Sequence, residues 1–242
     1  MDKTDKRWQD YHKRLKAINL KSFASHPLMK RVMTLSGSDN YFQYTESYPK
    51  ELIEALAHFQ EHPCLLKNAR PRKNKRIHIS SEKYIYQVCL LRHQFNLAKK
   101  SVLEMGSGYG GFCRIVRFAE PRLGRYTLFD HPTMQRLAQF FLSTNPLLSW
   151  VSTDQTSELE QGEFDVLVSN YCLSEVPPEF RQYVYNKVFT QCKGVFIIDG
   201  GNNEDVFKDE VTSALDGLYK DVNILPYAAD RNMNVWVARK LK

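Results

Sequence analysis

Apolar side chains follow two rhythms along this chain, and the change falls near residue 100. Before it they recur every three or four positions. Trp8, Tyr11, Leu15 and Ile18 outline one amphipathic helix, and Leu52, Ala55, Leu56 and Phe59 a second. Pro49 and Glu51 mark the start of the second, and His62-Pro63 reads as its stop. Tyr84, Ile85, Val88, Leu91 and Phe95 outline a third, which Ser80-Ser81-Glu82 is expected to open. After residue 100 short apolar runs take over, at 102–105, 126–129, 147–151, 164–168 and 194–198. Helical stretches lie between them: 112–119, a segment opened by His131-Pro132-Thr133, another opened by Pro177-Pro178-Glu179 and running to about Phe189, and a last one from Asn202-Asn203-Glu204 to about Tyr219. Strands alternating with helices predict an α/β fold whose parallel sheet is covered on both faces. Two late strands, 222–226 and 235–238, read as a closing hairpin.

Chemistry concentrates where the first strand meets its helix, in Glu104-Met105-Gly106-Ser107-Gly108-Tyr109-Gly110-Gly111. Gly106, Gly108 and Gly111 fall in the spacing that lets main chain approach a nucleotide-like ligand, because a Cβ there would block the approach or forbid a positive φ. Asp130 ends the next apolar run, about 20 residues on, where an acid can take the two hydroxyls of a ribose. This much suits NAD and S-adenosylmethionine alike. Glu104, still on the strand, favours the second, whose amino-acid end carries an ammonium and a sulfonium and no pyrophosphate.

Composition narrows the class without naming the partner. With 242 residues, 43% of them hydrophobic, the chain can build one large α/β domain plus an N-terminal element. No run approaches the roughly 18 apolar residues of a membrane span, and the polar start shows no secretory signal. Cys64, Cys89, Cys113, Cys172 and Cys192 form no C-x-x-C pair, so free thiols in a reducing cytoplasm are expected. The seven histidines lack metal-ligand spacing, so no metal site is expected. Charge is lopsided: residues 1–100 hold 20 Lys/Arg against 9 Asp/Glu, a net +11, and the rest hold 14 against 18, a net −4. The stretch 67–76 packs six cations and no acid. It reads as a contact for an anionic partner (phosphate, acidic glycan or nucleic acid) or as a solvated loop.

The glycine-rich segment from Glu104 to Gly111 resembles the cofactor loop of class I S-adenosylmethionine-dependent methyltransferases. With Phe129-Asp130-His131-Pro132 and Ser169-Asn170-Tyr171-Cys172-Leu173-Ser174-Glu175-Val176, it resembles more narrowly the bacterial sugar O-methyltransferase family, over roughly residues 80–240. That family runs acid-x-Gly-Gly-Gly-Tyr-Gly-Gly, then Asp-Leu-Pro, then Ser-x-Ser-Glu-Met. This chain departs from it at Ser107, His131 and Val176. The resemblance implies a Rossmann-like seven-stranded sheet over 80–242, preceded by a mainly helical, basic extension over 1–79 that serves as lid or substrate region. It implies S-adenosylmethionine as cofactor and a hydroxyl of a sugar or glycan, neutral or anionic, as acceptor.

Roles follow from the same resemblance. Glu104 would organise the ammonium, Gly106, Gly108 and Gly111 would offer bare backbone, and Asp130 would hold the ribose. Asp154 would meet the adenine amino group, or is only a solvated turn acid. Asn170 would lie beside the methionine end, and Tyr109 would place its ring near the sulfonium or pack within the loop. Strand ends nominate three general bases: Glu175 first, then His131, which also suits a helix cap, and Asp199, which also suits a metal, the substrate or a cap. Tyr171 would line the acceptor pocket. Asn170 is not followed by the Pro-Pro-aromatic run of enzymes that methylate base amines. The competing readings are an RNA methyltransferase that grips phosphates with its basic N-terminal part, a catalytically silent cofactor-binding subunit, and a dinucleotide-binding protein.

Overall fold

The computed structural model describes residues 10–29, 41, 48, 50–72, 75–143, 145–199, 204–230 and 232–240. Its centre is a seven-stranded sheet. The strands are β3 (Val102–Met105), β4 (Tyr126–Asp130), β5 (Leu148–Ser152), β6 (Phe164–Asn170), β7 (Cys192–Asp199), β8 (Asp221–Pro226) and β9 (Asn234–Arg239), in the order β5-β4-β3-β6-β7-β9-β8. The first five are parallel; β9 runs antiparallel between β7 and β8. Chain order reverses direction at β3, so a crevice opens between the carboxyl ends of β3 and β6, where ligands bind in open α/β sheets.

The apolar runs are continuous because each strand feeds two cores. Val166, Val168, Phe196, Ile198, Val235 and Val237 join one buried cluster. Their neighbours Leu167, Val195, Ile197, Trp236 and Ala238 join the other, as successive side chains point to opposite faces. A third cluster ties the N-terminal segment to the site: Leu15, Phe23, Met29 and Leu65 pack with Tyr109, Leu137 and Phe141.

The first helix is described over 10–15, with Trp8 outside the described residues. Helix α1 (Lys50–Ala57) ends before Phe59. His62-Pro63 does not stop a helix but starts one, α2 (Pro63–Leu66), where the Cys64 N–H donates to His62 Nδ1 at 3.2 Å. The basic stretch is not a free loop. It forms a hairpin, β1 (Arg70–Arg72) with β2 (Lys75–Ile77), and two of its cations hold main chain. Lys75 donates to the carbonyls of Ala57 and Phe59, and Arg76 to that of Ala69.

Helix α3 (Ile79–Gln94) is capped by His78, whose Nδ1 accepts the Ser80 N–H at 3.2 Å, and not by the Ser80-Ser81 pair. Helices α4 (Gly111–Ala119), α5 (Pro132–Leu142) and α6 (Ser157–Glu160) connect the next strands. The segment opened by Pro178 is α-helical only as α7 (Pro178–Tyr183); it then widens into a π turn over Val184–Val188 and tightens again before β7. Helix α8 (Glu204–Asp216) ends three residues short of Tyr219, and Asn202 and Asn203 lie outside the described residues. Among the described residues no helix is long and apolar enough to cross a membrane.

Candidate functional site

A cavity of about 420 Å³ occupies the crevice. Its wall combines the glycine turn, Glu104, Asp130, Asn170, Tyr171 and Glu175 with Tyr11, His12, Lys83 and Tyr84 from the N-terminal elements. A hollow of similar size beside Gln182, Tyr185 and Glu210 contains none of these groups.

Gly108 is the half-buried floor of the turn. Its φ is +56°, and a Cβ built there meets no atom within 4 Å, so the space over this peptide is open. Its N–H donates to Asp130 Oδ2 at 2.7 Å, while the His131 N–H donates to Oδ1 at 2.6 Å. Burial lifts the Asp130 carboxyl to about 6 against the pull of those two donors. Glu104 is 3% exposed and accepts the Tyr126 hydroxyl at 2.8 Å; burial pushes it further, to about 8. Both amide atoms of Asn170 are buried without a hydrogen-bond partner among the described residues. A side-chain amide left so is costly, and its place in the cavity wall means that a ligand can satisfy it.

The other two glycines are needed for packing as much as for the cavity. A Cβ on Gly106 would come within 2.5 Å of the Cys172 Cβ, and one on Gly111 within 2.5 Å of the Tyr109 ring and 2.7 Å of Tyr84. Gly111 is not part of the cavity wall. The Tyr109 ring is buried against Phe141, Phe23 and Tyr84 at centroid distances of 5.0, 5.7 and 6.3 Å, so it holds the N-terminal segment to the loop even where it borders the cavity.

The base candidates separate. Glu175 ends the turn Leu173–Glu175 and lines the cavity. Asp199 does not line it: fully buried, it takes the Ser174 N–H at 3.0 Å and the Ser174 hydroxyl at 2.5 Å, and so braces the turn that carries Glu175. His131 accepts the Thr133 N–H on Nδ1 at 3.2 Å, capping α5, and stacks on His12 at 3.7 Å between ring centroids. Burial lowers both imidazoles, His12 to about 4. Asp154 is exposed in the turn after β5 and accepts from Ser152; its neighbour Thr153, not Asp154, borders the cavity.

Several wall residues carry no sequence signal of a site. Lys83 follows a polar Ser-Ser-Glu, yet it is 3% exposed. Tyr171, named for the acceptor pocket, holds a left-handed φ of +59°, a strain of about 1–2 kcal/mol for a non-glycine residue. The Gln87 amide donates to its hydroxyl at 3.0 Å.

Neither a family model nor a curated protein matches the chain. Solved structures match its fold. A Thermoplasma acidophilum protein aligns with a TM-score of 0.51 at 17% identity, over 67% of this chain and 90% of its own. An O-methyltransferase family protein from Burkholderia thailandensis aligns at 0.50 and 13% identity, over 67% of this chain and 60% of its own. Human N-acetylserotonin methyltransferase, solved in complex with S-adenosylmethionine, aligns at 0.50 and 14% identity, over 93% of this chain and 72% of its own. The chain therefore shares its fold with solved methyltransferases, an O-methyltransferase family protein and an S-adenosylmethionine-bound enzyme among them.

Proposed function

We propose that the chain is an S-adenosylmethionine-dependent O-methyltransferase that methylates a hydroxyl of a sugar or glycan. The observation that carries the cofactor half is the berth at Gly108. There an open stretch of main chain lies beside Asp130, in the cavity that also holds the Glu104 carboxyl and the Asn170 amide, which has no hydrogen-bond partner among the described residues. Asp130 would hold the ribose hydroxyls, Glu104 the ammonium of the amino-acid end, and Asn170 would supply a donor and an acceptor close by. The cofactor, when bound, supplies a methyl group already activated on a sulfonium. The protein's task is then alignment and proton removal.

Glu175 is assigned the proton of the acceptor hydroxyl. It lies in the cavity wall on a turn that Asp199 holds in place, and a positioned base is worth roughly 10²–10⁴-fold. Asp199 is a positioning residue. His131, with Nδ1 committed to a cap and its ring committed to a stack, supports the rim. The 169–176 segment supports the sugar assignment, and the fold-level likeness to O-methyltransferases supports oxygen as the acceptor atom. In this reading residues 1–79 would serve as a lid or substrate region for a methyltransferase domain formed by 80–242.

The test is transfer itself. Incubated with methyl-labelled cofactor and separate glycan and RNA fractions, the protein labels the glycan fraction. Label in RNA alone overturns the acceptor assignment, and cofactor binding with no transfer overturns the enzyme assignment.

A further inference from the structure

Lys83 is a charged wall residue whose chemistry the proposed reaction leaves unused. It stands in the second turn of α3, between two groups that border the site: Tyr84, which packs on Gly111, and Tyr171, which follows Asn170. Its ammonium lies 5.3 Å from the Tyr84 ring centroid and 4.8 Å from that of Tyr171. Ring faces attract a cation, but they replace only a small part of its lost hydration. No carboxylate among the described residues pairs with it, and burial alone draws its pKa down to about 8. Charged lysine is almost never fully buried without a partner. Here the ammonium borders an open cavity and lies between its two walls.

We propose that Lys83 is the anion receptor of this cavity, closing on a carboxylate that a bound ligand delivers. The proposal rests on the methyltransferase reading, and it adds a specificity-determining residue to it. Two ligands of that reading carry the group: the amino-acid end of the cofactor, and an acceptor sugar bearing an acid, as a uronate does. The strained backbone of Tyr171, pinned through its hydroxyl by Gln87 from the next turn of α3, fixes one side of the receptor whichever ligand fills it.

Calorimetry on the full chain separates the sources. Wild type, Lys83→Met and Lys83→Arg are titrated with S-adenosylhomocysteine and with 5′-methylthioadenosine, which keeps the nucleoside but lacks the amino-acid end. Each is then titrated with glucuronate and with glucose in the presence of S-adenosylhomocysteine. Lys83→Met loses about tenfold or more in affinity for one carboxylate ligand and stays within about twofold for its uncharged match, while Lys83→Arg retains most of the affinity. Loss confined to S-adenosylhomocysteine assigns the receptor to the cofactor, and loss confined to glucuronate assigns it to the acceptor. Unchanged affinity for both carboxylates overturns the proposal while leaving the methyltransferase reading intact. A wild type that binds neither nucleoside overturns both. Should Lys83→Met fail to fold, Lys83→Gln carries the same comparison.

Discussion

The two walls of the cavity are made of different chemistry. The strand-end wall offers peptide groups and acids: the left-handed Gly108, then Glu104, Asp130 and Glu175. The N-terminal wall offers rings and nitrogen: Tyr11, His12, Lys83 and Tyr84. The first is rigid because parallel strands buried on both faces fix the main chain at their ends. The second is held by side-chain packing, through Phe23, Tyr109 and Phe141 and through the stack of His12 on His131. Main-chain geometry suits the part of a ligand common to many enzymes. Side-chain packing suits the part that varies, because it can change without disturbing the sheet.

If the walls divide the work in this way, damage to each has a different signature. The largest effect is expected from Gly108→Val, which fills the open space over the turn. Cofactor affinity falls below detection in calorimetry, while the circular dichroism spectrum is retained and the melting temperature drops by no more than the strain of one left-handed valine. Surviving affinity would remove the berth from the strand-end wall.

Next comes Glu175→Gln. Turnover falls roughly 10²–10⁴-fold with cofactor affinity within about twofold, because the change touches proton removal and not the berth. Equal loss of both would move Glu175 out of that role.

Glu104→Gln is smaller and has two signs. Glutamine cannot ionise against the ammonium of the cofactor, so binding weakens by roughly 10- to 100-fold, the worth of a hydrogen bond to a charged group. The ligand-free protein becomes more stable. In wild type the folded state keeps this proton up to about pH 8, whereas the unfolded chain loses it near its ordinary value of 4.5. Wild-type stability therefore declines as pH rises through that window, and the glutamine variant escapes the decline. Melting curves at pH 5 and pH 8 should show the variant's advantage growing with pH; a constant difference would mean that the carboxyl is not held protonated.

The smallest effect concerns the second wall. His78 caps α3, the helix that carries Lys83, and burial lowers its imidazole from 6.5 to about 4. The unfolded chain takes up a proton below 6.5 that the folded chain refuses until about 4, so stability contributed here is lost as pH falls through that range. Asparagine can cap without titrating. His78→Asn should gain on wild type by ~1–2 kcal/mol between pH 6.5 and pH 5 in urea melts.

The strand-end wall was legible in the residues, and the N-terminal wall was not. Runs such as 164–168 and 194–198 mark strands because both faces are buried, and Glu104, Gly108 and Asp130 stand where the strand ends place them. Spacing did not distinguish a glycine that faces a ligand from one that makes room for Tyr109, so Gly108 and Gly111 read alike. Asp199 ends its strand and Asp154 follows one, and they differ in what meets them: Ser174 claims the first, and the second is exposed with Ser152 as its donor. Histidine caps at His62 and His78 escaped notice because serine, threonine, aspartate and asparagine are the usual signals, whereas the cap at His131 was among the readings its position offered. The cations of 67–76 looked free because their carbonyl partners, Ala57, Phe59 and Ala69, carry no side-chain signal. Lys83 drew no reading from the sequence for a related reason: its burial depends on Tyr171, 88 positions away.

Strand β9 sits between β7 and β8, and β8 touches the sheet only through it. During synthesis the ribosome must therefore release residues 234–239 before β7 gains its neighbour. Until then the peptide groups of Val195, Phe196, Ile197 and Ile198 form an adhesive border open to any other nascent chain. A chain halted before residue 234 would keep that border uncovered for as long as the halt lasts.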